Sequence, residues 1–176
     1  VNELNGTACL SWDEVKEPKQ QIFSTRSFGQ RILDAHSLQA ALSKHAVVVG
    51  KKLRQQSSLV KKLLIFASSS PHDDNYYKQS LVYQFPVATD NSCDIAKAID
   101  AVLCEIFVPG VSFYRCGVGA IELESRKFLQ PDLFMPDNSN PALMKCLDNI
   151  NGRYGQGTLK LGSEGKSEIW QMRREF

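Results

Sequence analysis

The side chains with the most chemistry to offer are hydroxyls and cations, and many of them fall close together. Thr25-Arg26-Ser27-Phe28-Gly29-Gln30-Arg31 sets two hydroxyls and two guanidiniums beside a glycine. At a Ser-Phe-Gly turn, exposed backbone N–H groups, a hydroxyl and guanidiniums converge on a phosphate. Phe28 reads as a packing residue rather than a base-stacking one. Further on, Lys51, Lys52, Arg54, Lys61 and Lys62 form a run of cations. Such a rail fixes a phosphate backbone in position and carries no base information. Five neutralised phosphates would give log K against log[salt] a slope of about −4 to −5. Residues 20–69 hold eight Lys/Arg against one acid, Asp34, whereas acids outnumber bases on either side. One basic segment in an otherwise acidic chain points to a polyanion-facing surface, with a plain solvated face as the alternative.

Nothing comparable supports catalysis. There is no P-loop, no G-x-S-x-G elbow, no HExxH and no Cys/His dyad. Asp73-Asp74 is the tight acidic pair of the central region and reads as solvated loop, since a metal dyad wants carboxylates on fixed strands. Cys9, Cys93, Cys104, Cys116 and Cys146 are scattered without a CxxC, and His36, His45 and His72 sit at no zinc spacing. Reduced thiols and no metal site are expected. No apolar run reaches the roughly 20 residues of a membrane span, and no signal peptide is visible. The chain opens on Val1-Asn2-Glu3-Leu4 without Met, so a preceding portion is expected. It should bind rather than catalyse, with no cofactor of its own.

The elements that position these residues follow from periodicity. Residues 22–28 read as a strand ending at Gly29, rich in β-branched and aromatic types. A helix starts with Asp34 or Ser37 as N-cap, and Leu38, Leu42, Val49 and Leu53 line one face. Residues 59–67 form a strand, 68–75 a loop, and 80–87 a strand alternating Leu81, Tyr83, Phe85 and Val87. Asp90-Asn91-Ser92 caps a second helix carrying Ile95, Ile99, Val102, Leu103 and Ile106, stopped before Pro109-Gly110. Residues 112–123 form the last strand, in which Gly117 and Gly119 mark a bend or a place where a phosphate backbone approaches an open face. The order is βαββαβ, an α+β fold with a four-stranded sheet and two helices on one face.

A Pro-bearing tether follows. A short helix then starts at Ser139-Asn140-Pro141 and closes at Asn151-Gly152, residues 155–161 read as turn and strand, and residues 168–176 as another strand. This C-terminal part is expected to be a small α/β appendage. On the tether, Gln130, Leu133 and Phe134 present an apolar pair with no evident core to join, which suits an anchor in a partner's pocket. Docking back on the domain is the alternative.

Lys19-Gln20-Gln21-Ile22-Phe23-Ser24-Thr25-Arg26-Ser27-Phe28-Gly29-Gln30-Arg31-Ile32 resembles the UmuC branch of the Y-family DNA polymerases, whose S-R-S-F-G-x-R segment opens the little finger, a DNA-binding domain. Thr25 stands where the family often has Ser. Arg115-Cys116-Gly117-Val118-Gly119 resembles that domain's last strand. Gln130-Pro131-Asp132-Leu133-Phe134 is similar to the pentapeptide that binds the sliding clamp, with Pro131 in place of the commoner Leu. Leu147-Asp148-Asn149-Ile150-Asn151, Tyr154-Gly155-Gln156-Gly157-Thr158 and Trp170-Gln171-Met172-Arg173-Arg174 resemble the region that ends UmuC-type proteins, which normally continues past Phe176.

The resemblance implies the end of the thumb and a linker at 1–19, the little finger at 20–124, a clamp-binding tether at 125–137 and the C-terminal region at 138–176. It implies an error-prone translesion polymerase of the SOS response in the bacterial cytoplasm, whose Mg²⁺-binding palm carboxylates belong before Val1. DNA contacts fall to Thr25, Arg26, Ser27, Arg31, Lys51, Lys52, Arg54, Lys61, Lys62 and Arg115, and clamp contacts to Gln130, Leu133 and Phe134. A UmuD-type accessory subunit and RecA are implied as further partners. Two other functions fit a βαββαβ domain: a protein-binding adapter and an RNA-binding module. RNA-recognition sheets carry aromatics on two central strands, and Arg115, Gly117 and Gly119 argue against that.

Overall fold

The computed structural model describes residues 3–7, 18–128 and 140–165. Four strands and three α-helices account for most of them: β1 (Ile22–Ile32), α1 (Ala35–Gln56), β2 (Ser58–Ser68), β3 (Lys78–Thr89), α2 (Ser92–Ile106), β4 (Phe113–Ser125) and α3 (Pro141–Tyr154). The sheet runs β1-β4-β2-β3 with every neighbouring pair antiparallel. Each βαβ unit is therefore split by one strand: β4 lies between β1 and β2, and β2 between β3 and β4. The expected βαββαβ order and α+β class are the ones observed.

Helix ends follow their caps. The Asp34 carboxylate accepts from the Ser37 N–H at 2.7 Å and starts α1. That hydrogen bond is the first cause holding the Asp34 carboxyl below its usual range. Ser57, at φ 55°, ends α1 in the left-handed region with its N–H turned back to the last carbonyls. The Asn91 side chain accepts from the Cys93 N–H at 3.0 Å to start α2, and Asn140 from the Leu143 N–H at 3.0 Å to start α3.

Leu38, Leu42, Ala46, Val49 and Leu53 of α1 and Ile95, Ile99 and Ile106 of α2 are completely buried, as are Leu63, Ile65, Val118 and Ala120 of the sheet. Each large side chain taken out of water contributes about 1.5–3 kcal/mol. On the other sheet face Phe23 and Val82 remain exposed. At one end of the core Phe113 stacks on Phe107 and meets Tyr77 edge-on, while the Tyr77 hydroxyl donates to the Ile106 carbonyl at 3.1 Å. The cysteines among the described residues are free thiols, and burial pushes that of Cys116 upward.

Three expectations about elements are corrected. β1 does not turn at Ser27-Phe28-Gly29; it runs on to Ile32 with an irregular register against β4 between Ser27 and Ile32. A bulge of this kind absorbs the extra residues without ending the strand. α3 passes through Gly152 to Tyr154 and stops at Gly155, where φ is 106°. Residues 155–161 form turns and bends, followed by a single 3₁₀ turn at Gly162–Glu164, rather than a strand. The Asn151 amide replaces a sheet partner, donating to the Leu159 carbonyl and accepting from the Leu159 N–H, both at 2.9 Å. The strand expected at 168–176 lies outside the described residues.

The C-terminal region packs on the domain. Arg54, near the end of α1, donates Nε and Nη2 to the Asp148 carboxylate of α3 at 2.6 and 2.9 Å. Its Nη1 donates to the Asp90 carbonyl at 2.5 Å and to Ser92 Oγ at 3.1 Å, just before and at the start of α2. One guanidinium thus joins three helices.

Candidate nucleic-acid interface

The residues expected to meet DNA do not form one rail; the fold distributes all of them but Arg54 over four places. The first is β1 itself. Among the described residues this strand has β4 on one side and no strand on the other, so alternate backbone groups point off the described sheet. Lys52 Nζ donates to the Phe23 carbonyl at 2.9 Å, which identifies the outward set. In a strand the N–H and C=O of one residue point the same way, so with Phe23 the amides of Thr25 and Ser27 face off the edge. Their side chains share the open face with Arg115, whose Nη2 donates to Thr25 Oγ1 at 3.3 Å. Arg26, on the opposite side of the strand, is exposed beside Lys52.

The second place is a groove of about 490 Å³ between α1 and the C-terminal region, lined by Arg26, Lys44, Lys51, Lys52 and Lys160 among others. Lys44, Val47, Val48, Lys51, Lys52 and Gln55 enter it because steps of three and four share one side of a helix. Lys44 and Lys160 were not among the expected site residues. The i,i+7 relation of Lys44 to Lys51 is a signal for the first, whereas no sequence signal brings Lys160 to α1.

Two further places hold cations engaged with acids or carbonyls. Arg31 binds Asp73 through both terminal nitrogens, at 2.7 and 3.1 Å, and lies over the Tyr114 ring at 5.3 Å from its centre. Those hydrogen bonds are the first cause holding Asp73 below the usual carboxylate range. Asp73 is therefore a partner of β1 rather than a solvated loop acid. Lys62 pairs with Glu122 at 2.7 Å, and Lys61 donates to the Pro86 carbonyl at 2.6 Å. Arg54 stands apart from all of these. Its side chain is 11% exposed and occupied by the interhelical contacts described above, so its place is inside the protein rather than on a phosphate-facing surface.

Phe28 is buried, as a packing residue should be. Gly117 and Gly119 do not leave a channel over the sheet. The Phe23 ring occupies the space where a Gly119 side chain would start, and Thr25 and Phe66 crowd Gly117. The glycines make room for neighbouring side chains. Gln130, Leu133 and Phe134 lie outside the described residues. Among the described residues no helix is long and apolar enough to cross a membrane.

Residues 19–133 match the impB/mucB/samB family C-terminal domain, and residues 141–176 match a domain of unknown function, DUF4113. The whole chain is similar to protein ImpB of Salmonella typhimurium, at 32% identity over 181 aligned positions covering 42% of that relative. Protein UmuC of Salmonella typhimurium LT2 is 32% identical over the whole chain, which covers 43% of it. For protein MucB of Escherichia coli the identity is 34% and the share of that relative 42%. The chain thus spans roughly two fifths of the length of the curated relatives it matches. A solved complex of the beta-clamp processivity factor and the little finger domain of PolIV superposes at a TM-score of 0.46 and 12% identity, covering 65% of this chain and 99% of that one. The stretch around Thr25-Arg26-Ser27 and the one around Arg115-Cys116-Gly117 both lie inside the matched 19–133 region. The chain belongs to the impB/mucB/samB family and contains its C-terminal domain.

Proposed function

We propose that this chain is the DNA-gripping C-terminal part of a Y-family translesion polymerase of the UmuC type, serving SOS mutagenesis in the bacterial cytoplasm. Its grip follows the edge of β1 that no described strand covers. One observation carries the reading: the amides of Thr25 and Ser27 face off an edge that no described strand covers, and their hydroxyls lie on the adjoining open face, with the cations of Arg26, Lys52 and Arg115 around them. A row of N–H groups at strand spacing suits successive oxygens of a phosphate backbone, and the cations supply the sequence-independent attraction. No base edge needs to be read, which fits a polymerase that tolerates damaged templates. Polymerisation, with its Mg²⁺ and palm carboxylates, would reside elsewhere in the parent protein. The clamp enters through Gln130, Leu133 and Phe134, and a UmuD-type subunit and RecA join by family resemblance.

Fluorescence anisotropy of labelled duplex DNA across a salt series tests the grip. Three cations along the edge predict a slope of about −2 to −3, shallower than a five-cation rail would give. Arg26→Gln/Arg115→Gln should weaken binding at every sequence and flatten the slope by about two. Binding that ignores both salt and these substitutions would leave the domain as a protein adapter.

A further inference from the structure

The groove between α1 and the C-terminal region has a composition of its own. Its five cations, Arg26, Lys44, Lys51, Lys52 and Lys160, surround a floor that includes Val47, Val48, Leu147 and Leu159. Two acids, Asp148 and Glu164, also line it. Asp148 is bound by Arg54, and Lys52 donates to the Phe23 carbonyl. The Glu164 carboxylate accepts from the Leu161 N–H at 2.7 Å and keeps its charge, so cations outnumber acids in the lining by five to two. His45 is buried beside the groove, near three of these cations. Its imidazole is pushed down to about 4, first by burial and then by Lys44, Arg26 and Lys52.

We infer that this groove binds an acidic peptide segment of a partner protein, with carboxylates on the lysine rim and an apolar side chain on the valine–leucine floor. Shape and chemistry choose this occupant over nucleic acid. A concavity of about 490 Å³ accepts a few side chains and excludes a convex duplex. A single strand would want aromatic platforms for its bases, and among the described residues no aromatic side chain lines the groove. An apolar floor under a cationic rim instead matches a carboxylate-bearing peptide that buries one or two hydrophobic anchors. This site lies beside the β1 edge and does not rest on DNA binding there; Arg26 and Lys52 border both, so the variants avoid them.

The probe is a fluorescein-labelled twelve-residue peptide alternating Asp/Glu with Leu, measured by anisotropy against the full chain, beside labelled oligo-dT of the same length. The peptide is expected to bind more tightly than oligo-dT, and Lys51→Gln/Lys160→Gln to weaken it by about tenfold or more. Lys51→Arg/Lys160→Arg should restore it, and duplex DNA binding should persist in both. On the unaltered chain, saturating peptide should protect Lys51 and Lys160 from acetylation as read by mass spectrometry, which keeps the test independent of variant folding. Equal peptide binding by the Gln variant, absent protection, or tighter oligo-dT binding lost in that variant would each overturn the assignment.

Discussion

His45 shows how much one buried side chain records about its surroundings. Its Nδ1 lies 2.8 Å from Ser24 Oγ, and burial with three nearby cations lowers its pKa from 6.5 to about 4. The unfolded chain therefore takes up this proton first as pH falls. The stability contributed by the neutral ring is complete above pH 6.5 and is lost between there and about pH 4, to a total of about 3 kcal/mol. Urea midpoints at pH 7 and pH 4.5 for the wild type and for His45→Gln measure it. The wild type should lose more stability than the variant over that interval, and equal losses would dismiss the linkage. Other carboxylates titrate in both proteins, so the difference isolates the ring. None of this was legible in the sequence, where His45 was known by its failure to fit a zinc spacing. Arg31 makes the same point. Its type and setting in β1 were readable, but its partner Asp73 lies 42 positions away and reaches it through the β2–β3 loop.

Elements were easier to read than their ends or their contacts. Leu38, Leu42, Val49 and Leu53 have a helical period that survives any partner, and all four are buried. Gly29 reads as a stop, so the sequence ends β1 early, whereas a strand can carry a glycine through an irregular register. In the sequence Arg54 reads as part of a cationic rail because its neighbours Lys51 and Lys52 are cationic; its rotation about α1 turns it instead towards Asp148, 94 positions on. That pair is partly buried, at 11% and 21% side-chain exposure. Removing one partner leaves a poorly solvated charge, so Asp148→Ala should cost on the order of 3 kcal/mol and expose α3 to protease. Arg54→Met/Asp148→Leu, which removes both charges together, should recover much of that loss. Chemical denaturation with limited proteolysis decides the matter, and a double variant no better than the single would mean that the other Arg54 bonds, to Asp90 and Ser92, dominate.

At the scale of the molecule, the core and the C-terminal region are separable in a way that the basic segment alone does not show. Every member of the main buried cluster lies between Ile22 and Ala120, and the partly buried side chains packed on it end at Leu123. The sheet and its two helices thus close their own interior. α3 and the turn at Gly162–Glu164 cover one side of α1, where Val47 and Val48 are only half-buried. A chain of residues 18–128 should therefore unfold cooperatively, less stable by a few kcal/mol for the lost Asp148 pair and the uncovered valines. It should hold duplex DNA within about twofold of the full chain, because Thr25, Ser27, Arg26, Lys52 and Arg115 all remain. It should also lose the acidic peptide, because Leu147, Leu159 and Lys160 form one wall of that groove. Calorimetry and the two anisotropy titrations on this shortened chain read all three properties. Loss of DNA binding in a cooperatively folded 18–128 would move the nucleic-acid contact from the β1 edge to the C-terminal region, and retained peptide binding would place the acidic ligand on α1 alone.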